Sequence, residues 1–221
     1  MPASTRRALG AVIAGTGIVL VAVGAWIVIM LGPSGEAQFS ATSKAPGAIA
    51  VPSDVLNAVD VPVRVTATRA DGGALLLAVA PSPDARAILA GSAVSTVSGL
   101  HYPAGRLDLH ASGAGALTDV STADIWRLSA TGAGSAALVV DQGRGPETVV
   151  VTSGDTTALT NAKVTLSWAD RAWFFEALAM ATIGAVLAAF ALNDLWQGRL
   201  LTVRSNVAKA KAAAKTSEAS A

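Results

Sequence analysis

Few residue types in this sequence could do chemistry, and the two histidines come first. The stretch HYPAGRLDLH contains His101 and His110, and Asp108 stands two residues before His110. Alternate side chains of a strand share a face, so this spacing can bring a carboxylate and an imidazole together. Two such ligands can begin a metal site, but catalytic zinc usually takes three protein ligands. With no third ligand evident nearby, we predict no metal site and treat the three residues as a possible binding surface.

Other catalytic patterns are missing from the sequence. SGAGAL and TGAGSA lack the Gly-x-Ser-x-Gly turn of a serine nucleophile, and TGAGSAALVVDQGRGPE lacks the Gly-Lys-Ser/Thr ending of a phosphate loop. The absence of cysteine excludes thiolate catalysis, disulfides and cysteine zinc sites. Pairs of aspartates could still meet in the fold, although no pair is marked. We predict no catalytic residue, no cofactor and no enzymatic activity.

Trp126, in DIWRLSATGAG, is the last candidate for a binding surface. A single tryptophan in a strand belongs to a core more often than to a binding site. The sequence alone leaves both interpretations open.

The amino-acid composition indicates that the chain is a membrane protein. Of the 221 residues, 52% are hydrophobic and only 14% are charged, a balance typical of membrane proteins. A net charge of +1 argues against nucleic-acid binding, which needs clustered Lys and Arg. We therefore expect a lipid bilayer and no nucleic acid among the partners.

The first predicted span covers residues 8–31, which contain no charge. A helix of about 20 residues crosses the hydrocarbon core, so this segment is long enough. A cleaved signal would have an apolar region of about 7 to 15 residues and a small-residue cleavage site, of which Gly35-Glu36-Ala37 is a poor match. A retained anchor is favoured over a cleaved signal.

The second predicted span covers residues 173–195. Trp173, Phe174, Phe175 and Trp196 resemble the aromatic belts that lie at both membrane interfaces. Glu176 falls where the span meets the headgroups, and this position is favoured over an intramembrane functional carboxylate.

Basic residues lie before the first span and after the second span. Two arginines precede the first span, and five Lys or Arg follow the second, so the positive-inside rule predicts that both termini are cytoplasmic. The predicted organisation in the plasma membrane is therefore a cytoplasmic N-terminus (1–7), a transmembrane helix (8–31), an extracytoplasmic domain (32–172), a second transmembrane helix (173–195) and a cytoplasmic basic tail rich in Ala and Lys (196–221). A solvated tail is favoured over an extension of the second helix.

Small residues recur along one face of each span. Both sets repeat at spacings of three, four or seven, which place their members on one helix face: Gly10, Ala14, Gly17 and Gly24 in the first span, and Ala177, Ala181, Gly184 and Ala188 in the second. Small residues let membrane helices approach closely, so each face predicts a packing surface. The spans could pack on each other, which is favoured, or on a partner; the oligomeric state stays open.

The middle of the chain changes to short alternating segments separated by turn residues. Residues 60–69 alternate with the period of a half-buried strand, and 74–80 form an apolar run after Asp71-Gly72-Gly73, so a hairpin is expected. Further strands are predicted at 37–43, 93–100, 106–110, 125–130, 136–141, 147–153 and 163–168, and a short helix at 81–91. This pattern predicts a mainly β domain, an antiparallel sandwich or barrel with one short helix.

Three stretches in this order resemble a family of uncharacterised actinobacterial two-span membrane proteins with an extracytoplasmic β-rich domain. They are LGPSGE, LLLAVAPSPDARAILAG, and DIWRLSATGAG followed by GPETVVV, and the likeness covers about residues 31–151. The family carries no established activity. The chain departs from the pattern at TSGDTT, where the resemblance implies an Asn-Ala-Asp-Gly-like segment.

The sequence as a whole favours a non-enzymatic accessory or scaffold subunit of a membrane or cell-envelope complex, with one or more membrane-protein partners. An extracytoplasmic ligand-binding or sensing protein is the alternative, although residues 200–221 are too short and too simple for a signalling domain. An envelope enzyme ranks third.

Overall fold

The computed structural model describes residues 3–44, 46–117, 120–141, 145–155 and 158–218. The chain forms two compact units, one of Met1–Pro33 with Arg171–Ala221 and one of Ser34–Asp170. The first unit contains two long helices, α1 (Ala3–Leu31) and α4 (Arg171–Glu218). The second, called the β unit below, contains β1 (Glu36–Ser43), β2 (Ala48–Val51), α2 (Ser53–Leu56), β3 (Val63–Arg69), β4 (Ala74–Pro81), α3 (Ser82–Ile88), β5 (Val94–His101), β6 (Arg106–Ser112), β7 (Leu128–Ala133), β8 (Ser135–Val140), β9 (Glu147–Ser153) and β10 (Ala162–Ala169).

Both long helices contain a segment that is long and apolar enough to cross a membrane. The segments are Ala8–Leu31 and Arg171–Asp194, and only 17% of each most apolar stretch is buried. The core helix of a soluble protein would be mostly buried. Beyond the second segment α4 continues to Glu218, so the tail extends the helix, which was the less favoured alternative. Alanine and lysine are good helix formers, which accounts for the continuation.

The strands form one nearly closed, barrel-like sheet in the order β7-β4-β9-β2-β5-β6-β1-β10-β3-β8. All nine predicted strands are present to within about three residues of their predicted ends, and the short helix predicted at 81–91 is α3. The mainly β architecture is confirmed. Two short elements were not predicted: β2 and α2, each of only four residues.

The sheet is mixed, so the prediction of an antiparallel sandwich or barrel holds for most of its strand pairs but not for all. β2 pairs in parallel with β5, and β1 pairs in parallel with β6. The reason is topological: β1 and β2 are consecutive in the chain, but the antiparallel β5–β6 hairpin lies between them in the sheet. A pairing between strands so distant in sequence leaves no local signal.

The predicted hairpin of residues 60–69 with 74–80 is also wrong. β3 pairs with β10 and β8, whereas β4 pairs with β9 and β7, so the turn between β3 and β4 joins strands near opposite ends of the sheet. Gly134 likewise forms the turn between β7 and β8, which are the first and last strands of the sheet. The two turns are hydrogen-bonded, because Arg69 N donates to Gly134 O (2.8 Å) and Gly134 N donates to Gly73 O (2.9 Å). These bonds draw the ends of the sheet together.

The core lies on both faces of three neighbouring strands. β4, β9 and β2 are buried on both sides, which explains their continuous apolar sequences. On one face α3 packs through Ala85 and Leu89 against small residues of the sheet, including Ala50 and Ala80. By contrast, β3 and β8 alternate between buried and more exposed side chains, because only one of their faces is covered.

Candidate functional site

The β5–β6 hairpin brings two of the three predicted surface residues together. His101 Nε2 lies 2.7 Å from Asp108 Oδ2, and the two side chains are 62% and 48% exposed. His101 is opposite Arg106 in the register, and Asp108 is opposite Gly99 next to a β-bulge. Both side chains are therefore largely open to solvent.

His110 lies further along β6, opposite Thr96 of β5, and its side chain is exposed. Among the described residues no group of three or more His, Cys, Asp or Glu side chains is placed to hold a metal ion. The arrangement is an exposed contact between an imidazole and a carboxylate, and it offers two ligands rather than a metal centre.

Trp126 is half-buried and lies just before β7, not in the strand predicted at 125–130. Its ring packs half-buried against the apolar groups around α3 and β4, with Ile88 and Leu117 nearby. Its indole Nε1 donates a hydrogen bond to Val120 O at 2.7 Å. Both the ring and its polar atom are thus used within the fold.

The small-residue faces of α1 and α4 meet each other. A Cβ added at Gly17 would lie 2.6 Å from Ala188 N and 2.7 Å from Gly184 O, and one added at Gly24 would lie 2.8 Å from Ala181 N. Ala14, Ala177 and Ala188 are all less than 10% exposed, and Gly10 is buried. The backbones approach at distances that only glycine permits.

A buried arginine that the sequence analysis did not single out closes the end of the barrel. Arg69 donates from Nε and Nη2 to the two carboxylate oxygens of Asp71 (2.9 and 2.7 Å) and from Nη1 to Ala74 O and Ser153 Oγ (both 3.2 Å). The bond from Arg69, supported by the Gly73 N–H, lowers the pKa of Asp71. The network joins the ends of three strands, so its role is structural.

A cavity of about 400 Å³ lies beside this network and is walled by small and apolar residues such as Gly47, Leu117 and Leu159. Two of its polar side chains already have partners, because Ser153 Oγ donates to Asp155 Oδ1 at 2.5 Å and receives a bond from Arg69. These two side chains therefore have less free hydrogen-bonding capacity for a ligand.

A larger groove, of about 540 Å³, lies where β2 and β4 end. Both strands are antiparallel to β9, so their carboxyl ends reach the same edge of the sheet. A Pro-Ser pair marks both junctions, since β2 is followed by Pro52 and β4 ends at Pro81, and each junction leads to an aspartate in the first helical turn, in VPSD and in APSPD. Proline ends the strand and favours a helix start, so the chain turns into α2 and α3 at this edge of the sheet.

The lining of the groove is rich in hydroxyl groups and carries one acid and one base. Thr148 Oγ1 donates to Ser82 Oγ at 3.0 Å, which ties β9 to the start of α3. Asp54 of α2 and Arg86 of α3 also line the groove, and both side chains are exposed. Within the described part of the chain, neither forms an ion pair or a side-chain hydrogen bond.

The sequence contained a signal for the buried Arg69 and another for the groove at the ends of β2 and β4. Arg69 is in phase with Val63, Val65 and Ala67, so alternation places it on the buried face of β3. The repeated Pro-Ser-Asp junctions marked two strand ends that meet, although only the fold shows that they are neighbours.

Comparison with known proteins adds nothing to these observations: no protein-family model and no curated protein sequence matches the chain.

Proposed function

We propose that this protein is a non-enzymatic accessory or scaffold subunit of a membrane or cell-envelope complex. In this proposal α1 and α4 cross the plasma membrane, both termini are cytoplasmic, and the β unit is extracytoplasmic. The observation that carries the proposal is the distribution of exposed apolar side chains. Of the nineteen large apolar side chains that are exposed in the described part of the chain, nine lie on α1 and seven on α4.

Such a surface is unfavourable in water. Burying apolar surface is worth roughly 25 cal/mol per Å², and soluble proteins rarely expose contiguous patches larger than a few hundred Å². Ile29 and Phe190, for example, are 75% and 73% exposed. Lipid is the solvent that matches this surface, and the 24-residue length of each segment fits the hydrocarbon core.

The β unit supplies the surface proposed for the partner. With Tyr102, its exposed large apolar side chains among the described residues are Leu128 of β7 and Val139 of β8. These are the edge strands of the sheet, and neither strand contains a charged residue or a proline. The turn at Gly134 ties the two strands together at one end, and Leu128 and Val139 lie toward the other end. Edge strands usually carry such residues to prevent pairing, so their absence favours an extended segment of a partner protein that adds to the edge there.

Purification of the full chain from native membranes in mild detergent tests the proposal. We expect a partner in fixed stoichiometry, lost in Leu128→Lys or Val139→Lys. Tyr102→Lys, which also charges an exposed apolar site but lies away from the edge strands, should retain the partner. A chain that purifies alone, or a partner that the edge variants retain, would overturn the proposal.

The non-enzymatic part has its own test. A triple variant with alanine at His101, Asp108 and His110 should complement a deletion strain as well as the wild type. Loss of complementation by a variant that is folded and present in the membrane would support the enzyme alternative.

A further inference from the structure

We propose that the groove between α2, α3 and the sheet, lined by Asp54 and Arg86, binds a short peptide with free termini. This site goes beyond the proposed scaffold role and lies entirely within the β unit. The ligand class follows from charge, hydrogen-bonding capacity and size.

The charges of the groove are opposite and unused. Asp54 and Arg86 stand on two different helices that border the same groove, and they do not form an ion pair with each other. A ligand that carries both an ammonium and a carboxylate can pair with both side chains at once. Guanidinium binds carboxylate with two parallel hydrogen bonds, which fixes the orientation of the ligand.

Hydroxyl groups on the lining favour a polar ligand. Ser92 lines the groove, and its hydroxyl has no hydrogen-bond partner among the residues that the structure describes. A hydroxyl group both donates and accepts hydrogen bonds, so it can pair with a polar ligand. Thr96 and Ser112 add further hydroxyl groups, which suit the donors and acceptors of a peptide bond.

The dimensions of the groove favour a peptide over a single amino acid. Its volume of about 540 Å³ is within the range of small-molecule sites, and one amino acid would leave most of it empty. The apolar part of the lining consists mainly of small residues, including Ala50, Ala85 and Ala90. Small side chains on the peptide fit this lining, so tri-L-alanine is the probe of choice.

Calorimetric titration of the full chain in detergent with tri-L-alanine tests the site. We expect saturable binding, and we expect N-acetylation or C-terminal amidation of the peptide to weaken it at least tenfold. Arg86→Gln should weaken binding of the free peptide as much as amidation does, and should have little further effect on the amidated peptide. Asp54→Asn should behave in the same way toward the acetylated peptide.

Two matched controls keep the test specific. Asp84→Asn changes an exposed acid on α3 that does not line the groove, and Arg64→Gln changes an exposed base on β3, so both should bind like the wild type. The proposal fails if tri-L-alanine does not bind. It also fails if the capped peptides bind equally well, or if the two groove variants and the two controls behave alike.

Discussion

At the scale of single residues, Arg69 determines how the barrel closes. Its side chain is 3% exposed and contacts the turn after β3, the first residue of β4 and the last residue of β9. A buried guanidinium keeps its charge, so every N–H needs an acceptor. Asp71, Ala74 and Ser153 supply these acceptors. A buried arginine at this position is favourable only because these hydrogen bonds form.

We predict that Arg69→Met destabilises the β unit by about 1 to 3 kcal/mol, because it removes the hydrogen bonds to Asp71, Ala74 and Ser153 and separates the turn from β9. The measurement is the free energy of unfolding of the full chain in detergent. Arg64→Met is the control, since it removes an exposed arginine from the same strand and should cost no more than about 0.5 kcal/mol. If the two variants lower the free energy of unfolding equally, Arg69 does not stabilise the closure of the barrel.

The same ion pair predicts an acid sensitivity. The hydrogen bonds from Arg69 and the Gly73 N–H lower the pKa of Asp71 in the folded state. Its stabilising contribution is therefore complete above the unfolded pKa of about 4 and is lost as the pH falls through the lower folded value. The difference in melting temperature between wild type and Asp71→Asn should shrink as the pH is lowered from 7 to below 4. If the difference in melting temperature does not change with pH, the ion pair between Arg69 and Asp71 does not stabilise the folded state.

Trp168 carries a different kind of buried polar atom. The ring is fully buried and packs edge-on against Phe39 at a centroid distance of 5.9 Å, but its Nε1 is the one buried side-chain atom without a partner among the described residues. Trp168→Phe loses some packing and removes the unpaired N–H, so we expect a net change within about 1 kcal/mol. Trp168→Ala should cost about 3 to 5 kcal/mol. If the phenylalanine variant is as unstable as the alanine variant, the N–H has a partner in solution.

At the scale of elements, the contact between α1 and α4 depends on glycine. Gly17→Leu should separate the helices, because no side chain fits where a Cβ would lie 2.6 Å from a backbone nitrogen. Gly15→Leu is the matched control, since nothing lies within 4 Å of a Cβ at that position. Cysteines placed at Val21 and Ala181, which both contribute to the glycine contacts, report the effect in a chain that has no other cysteine. Disulfide formation should fall in the first variant and persist in the second, and equal yields would show that the close approach is not required.

The strands β3 and β4 could be predicted from the sequence, but their pairing partners could not. Alternation in β3 and the apolar run in β4 are local, so both strands could be predicted. Their pairing could not, because Asp71-Gly72-Gly73 has the composition of a hairpin turn but Asp71 is held by Arg69 and the chain passes to the other end of the sheet. The groove was unpredictable for the same reason, since it requires β2 and β4 to be neighbours across β9.

At the scale of the whole molecule, composition and hydropathy were the most informative features. The two apolar segments could be located within a few residues, and the described structure adds that their large side chains remain exposed while their small ones are buried against each other. That distribution is the inverse of a water-soluble helix pair. It is the basis of the proposal that the chain is a membrane hairpin.

Cysteine accessibility in intact cells tests this central claim most directly, because the natural chain contains no cysteine. Ala111→Cys places a thiol at an exposed position of β6, which is not one of the proposed partner-binding edge strands, and Ser205→Cys places one in the basic tail. We predict that the protein sediments with membranes, that a membrane-impermeant maleimide labels Ala111→Cys in intact cells, and that it labels Ser205→Cys only after permeabilisation. The reverse labelling pattern, or recovery of either variant in the soluble fraction, would contradict the account.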